Sequence, residues 1–149
     1  FTVLLPAIER GTAPAPTELA PSVAAGGNET LLLVEDDTAV RATTRAALAG
    51  RGYQVLEASS AAAALAIWAA VGPSVALVVT DLVMPGGITG RQLGDILGAQ
   101  RPDLRIVYTS GYSPEVIDQR LALGPTRRFL PKPYTVDALA ACVRACLDG

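Results

Sequence analysis

The sequence predicts an α/β fold, a single doubly wound sheet of five parallel strands with helices on both faces. Five short apolar or β-prone runs occur from residue 30 onward, and a segment with helical signals follows each run. Because strands that alternate with helices form βαβ units, neighbouring strands are expected to run parallel. The predicted strands are residues 31–34, 54–58, 75–80, 105–109 and 128–130.

The third run and the segments between the runs support this assignment. Residues 75–79 are apolar at every position, as expected of a central strand that is buried on both sides. Ser113 followed by Pro114 signals the start of a helix. Elsewhere residues recur at the spacing of a buried helix face. They are Val40, Thr44, Ala47 and Leu48, then Leu93, Ile96 and Leu97, and finally Val136, Leu139, Val143 and Leu147.

Composition indicates one domain and excludes several functions. The chain has 149 residues, of which 50% are hydrophobic, enough for a single core. A net charge of −2 disfavours nucleic acid and anionic membranes as partners. The longest apolar run, residues 61–71, is well short of the about 20 residues that cross a bilayer. Cys142 and Cys146 lie four apart in a predicted helix and are expected to be buried thiols, which fits a reducing cytoplasm.

The first 29 residues differ from the rest of the chain. Residues 1–6 have the character of a short strand that ends at Pro6, and residues 11–28 are rich in Ala, Pro and Gly, as in a linker. We therefore place the main domain at residues 30–149.

Polar residues cluster where the predicted strands end, and ligands of parallel α/β sheets bind at that edge. Each residue alone has a simpler explanation, since Asp37 or Thr38 could cap a helix and Lys132 could be a solvated loop lysine. Together they are harder to ascribe to chance. The residues concerned are Glu35, Asp36 and Asp37 after the first strand, Asp81 after the third, Thr109 and Ser110 at the fourth and Lys132 after the fifth.

Crowded carboxylates repel each other unless a cation neutralises them, and oxygen ligands select a hard divalent ion. Mg²⁺ is the natural candidate because it keeps coordination sites for water and phosphate oxygens. A lysine and a threonine opposite such an ion, here Lys132 and Thr109, would cradle a phosphoryl group.

Four segments resemble the response-regulator receiver domain of the CheY-like superfamily. They are Leu-Leu-Leu-Val-Glu-Asp-Asp at 31–37, Thr-Asp-Leu-Val-Met-Pro-Gly-Gly at 80–87, Tyr-Thr-Ser-Gly-Tyr at 108–112 and Phe-Leu-Pro-Lys-Pro at 129–133. Their order and spacing make the resemblance specific, and it covers the chain from residue 30 onward. It implies a flavodoxin-like sheet with strand order 2-1-3-4-5.

The resemblance also implies a role for each site residue. Asp81 is the phosphate acceptor, and Mg²⁺ is bound by Glu35, Asp36, Asp81 and the backbone carbonyl of Val83. Asp37 is the less favoured ligand. The phosphoryl group is bound by Thr109 and Lys132, and Phe129 is the aromatic residue that changes rotamer when Thr109 moves. A cis peptide is expected between Lys132 and Pro133.

The resemblance implies that signalling needs a phosphohistidine donor, a histidine kinase or a histidine phosphotransferase. Because this sequence contains no histidine, the donor is expected on another chain or in another part of a parent protein. The expected output is a change in the surface formed by the helix after Ser113, the fifth strand and the last helix. The chain is expected to be cytoplasmic, whereas a parent protein could be attached to a membrane. Whether the domain forms a homodimer is left open.

Two departures from the family pattern stand out. The loop at residues 86–90 is one residue longer than usual, and Phe129 replaces the commoner tyrosine. Hydrolysis of the phosphorylated state is expected to be no faster than the slow to middle part of the family's range, because neither Val83 nor Gly111 has a polar side chain that could orient a water. The opposing effect is that Gly111 leaves the phosphoryl group open to bulk water.

The opening Phe-Thr-Val-Leu-Leu-Pro is similar to the end of the ATP-binding domain of histidine kinases. This implies that residues 1–29 are the last strand of such a domain and a linker, so that the chain is the C-terminal receiver of a hybrid sensor kinase. A vector-derived or disordered tail is the competing interpretation, and a stand-alone regulator is the alternative parent.

Two other functions fit the sequence less well. A phosphatase of the haloacid dehalogenase type also uses a strand-end aspartate, Mg²⁺ and a lysine, but it needs a second aspartate where this chain has Val83. A degenerate receiver used only for docking is disfavoured because every residue for phosphorylation is present.

Overall fold

The structure is a computed structural model, and it describes residues 26–111 and 123–149. Five strands form one parallel sheet in the order β2-β1-β3-β4-β5, which confirms the predicted fold and strand order. The elements are β1 (Thr30–Val34), α1 (Thr38–Ala49), β2 (Gln54–Ala58), α2 (Ala61–Val71), a 3-10 turn (Gly72–Ser74), β3 (Val75–Asp81), α3 (Gly90–Gln100), β4 (Arg105–Ser110), β5 (Arg127–Pro131) and α4 (Val136–Asp148). The predicted strand at residues 1–6 and the predicted helix start at Ser113 lie outside the described residues.

The sheet separates two hydrophobic cores because successive side chains of a strand point to opposite faces. Helices α1 and α4 cover one face, where Leu48 and Val143 pack on residues such as Leu77. Helices α2 and α3 cover the other face, where Trp68 and Leu97 contribute to the core. The middle strand β3 therefore has a core on each side, as its unbroken apolar run predicted.

Each of the four α-helices in the described part of the chain begins at a side-chain cap. Asp37, Ser60, Thr89 and Thr135 accept hydrogen bonds from backbone N–H groups of the first turns of α1, α2, α3 and α4. Such caps satisfy donors that have no partner within the helix. At α3 the side chain of Gln92 also bonds back to Thr89, completing a capping box.

Two residues with the spacing of a helix face are exposed, Ile96 on α3 at 38% and Val136 at the start of α4 at 46%. Helical spacing alone therefore overstates the width of the buried stripe on these two helices. The strands β1, β3, β4 and β5 are each one or two residues longer than predicted.

Both cysteines of α4 are free thiols, as predicted, but only Cys146 is buried, and Cys142 is half-buried. Burial raises the pKa of the Cys142 thiol to about 11, which makes it unreactive at neutral pH. Among the described residues, no helix has the length and apolar character needed to cross a membrane.

Residues 26–29 contact the domain and are called the N-terminal strap below. The Gly27 N–H donates to the carbonyl of Arg51 at 3.1 Å, and the Glu29 carbonyl accepts from the N–H of Gln54 at 3.0 Å. The strap lies at the amino edge of the sheet, where the strands begin.

Candidate functional site

Three carboxylates meet at the carboxyl edge of the sheet. Glu35 and Asp36 directly follow β1, and Asp81 is the last residue of the neighbouring strand β3. One carboxylate oxygen from each lies within 4.8 Å of the others. Glu35 is buried, at 4% exposure, and Asp36 and Asp81 are half-buried. The structure thus brings together the three acids that sequence reasoning assigned to a metal.

Lys132 reaches into this cluster from the end of β5. Its Nζ lies 2.7 Å from Asp81 Oδ2 and 2.8 Å from Glu35 Oε2. Burial alone would lower the pKa of Lys132, but its bonds to Asp81 and Glu35 outweigh that and raise the pKa above its usual value. Burial raises the pKa of Glu35, and the bond to Lys132 offsets only part of this effect. The ammonium group is therefore the fixed positive charge of the site at neutral pH.

Lys132 is positioned by its backbone. The Lys132 N–H donates to the Ser110 carbonyl at 2.8 Å, which carries the β4–β5 pairing one residue beyond the strand. The following Lys132–Pro133 peptide is cis, as the sequence analysis anticipated.

Asp37 lies apart from the cluster. Its Oδ1 accepts from the N–H groups of Ala39 and Val40, at 2.8 and 2.9 Å, and these bonds lower the pKa of Asp37. The carboxylate is therefore engaged as the cap of α1, which is the simpler explanation that the sequence had left open.

Asp81 is held by the turn that follows it. The Val83 N–H donates to Asp81 Oδ1 at 3.1 Å, and the Leu82 N–H donates to the Thr109 carbonyl at 2.9 Å. Leu82 and Met84 are buried, whereas Val83 between them is 54% exposed. The turn thus fixes the carboxylate while Val83 faces outward beside it. The Val83 carbonyl as a metal ligand stays a prediction.

The loop after this turn contains two glycines with a specific conformation. Gly86 and Gly87 have φ angles of 103° and 95°, in the left-handed region that favours glycine. A Cβ at either position would meet nothing within 4 Å, so backbone conformation and not space requires glycine here.

The site suits Mg²⁺ in its donor chemistry. All three groups offer carboxylate oxygens, the hard ligands that Mg²⁺ prefers. One oxygen of each carboxylate lies within 4.8 Å of the other two, so the three groups face a common space between them. Glu35, Asp36 and Asp81 could therefore hold the ion, leaving Lys132 for an anionic group.

Two hydroxyl groups, of Thr109 and Ser110, lie at the end of β4. Both residues are buried, and Thr109 is the register neighbour of Asp81. Side chains alternate along β4, where Val107 belongs to the core under α1 and α4 and Tyr108 to the opposite core. Thr109 therefore faces the α1 and α4 side, and Ser110 faces the other side.

Phe129 lies on the face opposite Thr109. It packs against the core under α2 and α3, beside its register neighbour Tyr108. The structure does not bring Thr109 and Phe129 together, because the sheet lies between their side chains. The hydroxyl on the side of Phe129 is that of Ser110. The sequence analysis noted Ser110 at the end of the fourth strand but gave it no role. Alternation of side chains along that strand puts Ser110 on the same face as Tyr108, and this was the available signal.

Arg41 is a site residue that sequence reasoning missed. Its Nη1 donates to the backbone carbonyls of Glu35 and Asp36, at 2.7 and 3.3 Å, from the first turn of α1. Arg41 therefore orients the acidic pair through the backbone carbonyls. No pattern of side chains in the sequence signals such a contact. At Gly111, the other position tied to hydrolysis, a Cβ would meet no atom of the described residues within 4 Å.

Fold and site define a class of protein, the receiver domains of two-component signalling. The four sequence segments implied three features of that class, and the structure has all of them. They are the strand order, the acidic cluster and the lysine at the carboxyl edge. A family model described as the response regulator receiver domain matches residues 31–144. The chain therefore belongs to the response regulator receiver domain family.

Two curated relatives illustrate the range of this family. The sensor kinase CckA of Brucella abortus (strain 2308) is 39% identical over 122 residues, which is 82% of this chain and 13% of the kinase. The DNA-binding transcriptional regulator NtrC of Azospirillum brasilense is 33% identical over 120 residues, 80% of this chain and 24% of the regulator. The chain thus spans only a small part of the length of these relatives.

Solved structures agree with this. The receiver domain from the hybrid histidine kinase CckA is 32% identical, with a TM-score of 0.67, and the match covers 79% of this chain and 98% of that domain. A receiver domain protein from Clostridium thermocellum has a TM-score of 0.73 at 22% identity, covering 80% and 94% of the two chains, and supports the fold alone.

Proposed function

We propose that this domain accepts a phosphoryl group on Asp81 in a Mg²⁺-dependent reaction. The observation that supports this most directly is the Lys132 ammonium at 2.7 Å from the Asp81 carboxylate, within a cluster that includes Glu35 and Asp36. A carboxylate nucleophile beside a fixed cation and a metal-binding acidic pair is an arrangement suited to phosphoryl transfer.

In the proposed reaction, an Asp81 oxygen attacks the phosphorus of a phosphohistidine on a partner. The new P–O bond forms as the P–N bond breaks, and the histidine nitrogen that leaves takes up a proton. Lys132 neutralises charge on the transferring group, which must approach in line. Mg²⁺ held by Glu35, Asp36 and Asp81 would supply further charge neutralisation.

For the hydroxyl contact to the phosphoryl group, we propose Ser110 in place of the earlier candidate Thr109. The Lys132–Asp81 bond crosses the end of β4, because β4 lies between β3 and β5. Ser110 is the last residue of β4, and its side chain faces the side of Phe129. A shift of Ser110 toward the phosphoryl group would change the space open to Phe129, which a shift of Thr109 could not do directly.

We also propose that the domain is the C-terminal receiver of a hybrid sensor histidine kinase. The similarity to the CckA sensor kinase supports this, as does the kinase-like Phe-Thr-Val-Leu-Leu-Pro at the start. Residues 1–29 would then be the end of the kinase ATP-binding domain and a linker, and the partner would be a histidine kinase or a phosphotransferase in the cytoplasm. Sequencing the gene upstream of Phe1 tests this, and an absent kinase core would favour a stand-alone regulator.

The phosphatase alternative has little support. The position two residues after Asp81, where that class needs an acid, carries Val83, which is exposed and apolar. Turnover of a generic phosphate ester by the purified chain would reopen the question.

The proposed acceptor is tested by incubating the chain with acetyl phosphate and Mg²⁺ and weighing it intact. We expect the mass of one phosphoryl group to be added to the wild type and not to Asp81→Asn. Asp37→Asn is the matched control, because Asp37 is the helix cap outside the cluster, and it should be labelled as the wild type is. A labelled Asp81→Asn chain would contradict the proposal.

A further inference from the structure

We propose that the N-terminal strap, residues 26–29, docks against helix α4 at the amino edge of the sheet. In this way the strap fixes the point at which the preceding chain leaves the domain. The docking surface is formed by Arg51, Tyr53 and Arg144. This inference concerns the attachment of the domain and does not depend on phosphorylation of Asp81.

The backbone of the strap is bonded at two points. Gly27 donates to the Arg51 carbonyl and Glu29 accepts from Gln54, so that the strap extends the β1–β2 pairing before the first strand. Arg51 also forms an ion pair with Asp137 in the first turn of α4. The residue that receives the strap is thus tied to α4.

The two strap glycines allow a close approach that other residues would prevent. A Cβ at Gly26 would overlap the Arg51 carbonyl. A Cβ at Gly27 would lie 2.7 Å from Tyr53 Cε1 and 2.9 Å from Arg144 Nη1, closer than real contacts allow. The strap therefore lies flat on the domain because it has no side chains at these positions.

A charge contact fastens the end of the strap to α4. Glu29 Oε1 accepts from Arg144 Nη1 at 2.9 Å, and Arg144 also pairs with Asp148 in the same helix. Tyr53 is only 3% exposed beneath the strap. Burial alone would raise the pKa of Glu29, but its bonds, chiefly those to Arg144, lower it.

The strap and the acidic cluster lie at opposite edges of the sheet. Residue 26 contacts the segment where β2 begins, whereas Asp81 is at the end of β3. A unit that precedes the strap is consequently attached on the side away from Asp81, and the phosphoacceptor edge is left open to a donor.

Cleavage by a glutamate-specific protease tests the docking in the full chain. Glu29 is the reporter, a free peptide of residues 24–34 is the undocked reference, and the buried Glu35 reports global unfolding. We expect cleavage after Glu29 to be at least roughly tenfold slower in the wild-type chain than in the peptide, because proteolysis requires local opening. Equal rates in the chain and in the peptide would overturn the proposal.

Two variant pairs separate the strap from the rest of the fold. Arg144→Gln should speed cleavage after Glu29 by roughly tenfold, which corresponds to an opening free energy lower by about 1.4 kcal/mol. Asp148→Asn should leave this rate unchanged, because it removes only the pair between Arg144 and Asp148. If Arg144→Gln also exposes Glu35, a second pair of variants decides. Gly27→Ala should speed cleavage after Glu29, whereas the control Gly124→Ala should not, because its Cβ would meet no described atom within 4 Å. Equal cleavage after Glu29 in these two variants would contradict docking.

Discussion

At the scale of single residues, the charge of the site depends on Lys132. It is the cation that contacts both Asp81 and Glu35, and its bonds hold it in the ammonium form. Removing one partner of a half-buried pair leaves the other without compensation. Asp36 and Asp37 are sequence neighbours with different surroundings, because only Asp36 belongs to the acidic cluster.

Replacing these two acids separates metal binding from helix capping. Asp36→Ala should weaken Mg²⁺ binding by at least roughly tenfold, the scale of losing a residue that supports a metal site. Asp37→Ala should leave Mg²⁺ affinity nearly unchanged and lower the melting temperature by a few degrees, because it removes the cap of α1. Calorimetry is the suitable measurement, because Trp68 lies in the last turn of α2, bonded to Gln100 at the end of α3, and is a poor reporter of the acidic cluster. Equal losses of affinity would show that the register of the acidic pair is wrong.

The two hydroxyls of β4 can be distinguished in the same way. Ser110→Ala should slow phosphorylation of Asp81 by roughly tenfold, the effect of losing a hydrogen bond to a charged group. Thr109→Val, a change of similar shape, should have little effect. With fluorinated phenylalanine, the Phe129 resonance should shift on phosphorylation in Thr109→Val and not in Ser110→Ala. Phe1, the only other phenylalanine, is the internal reference. The reverse pattern would return the role to Thr109.

At the scale of elements, helix α3 is pressed onto the sheet through its glycines. A Cβ at Gly90 would overlap the Asp81 carbonyl, and a Cβ at Gly94 would overlap the Tyr108 hydroxyl. Tyr108 is fully buried, and its hydroxyl has no hydrogen-bond partner within the described residues. The close approach of α3 therefore packs the start of this helix against the backbone of Asp81, where the turn begins.

The contact between α3 and β4 gives a test by paired substitution. Gly94→Ala should destabilise the domain by about 1–3 kcal/mol because it overpacks a filled core. Tyr108→Phe alone should be close to neutral, since it removes an unpartnered hydroxyl. The double variant should recover part of the loss. Urea denaturation measures all three free energies of unfolding, and strictly additive effects would show that the two residues do not clash.

Strand positions were easier to predict than contacts across the sheet. The apolar runs and capping residues such as Thr89 report local preferences, so the order and type of the described elements followed from the sequence. The family resemblance implied that a movement of Thr109 changes the rotamer of Phe129. The structure does not bring these two residues together, because the pleat of the strands places their side chains on opposite faces of the sheet. Arg41 was missed because it acts through backbone carbonyls, which no side-chain pattern records.

At the scale of the whole molecule, the two edges of the sheet have different contents. The carboxyl edge gathers Glu35, Asp36, Asp81 and Lys132 because parallel strands all end there. The amino edge holds the strap and the last turn of α4. The proposed phosphorylation site on one side and the proposed attachment on the other would suit a domain that a donor reaches while it is joined to a larger protein.

The central claim, that Asp81 receives the phosphoryl group, is tested most directly by locating the modification. After treatment with acetyl phosphate and Mg²⁺, borohydride reduces an aspartyl phosphate to homoserine, which peptide sequencing can place in the chain. We expect homoserine at position 81 alone, and none when Mg²⁺ is removed by a chelator. Homoserine at position 36 or 37, or labelling at position 81 that persists without Mg²⁺, would contradict the proposed site.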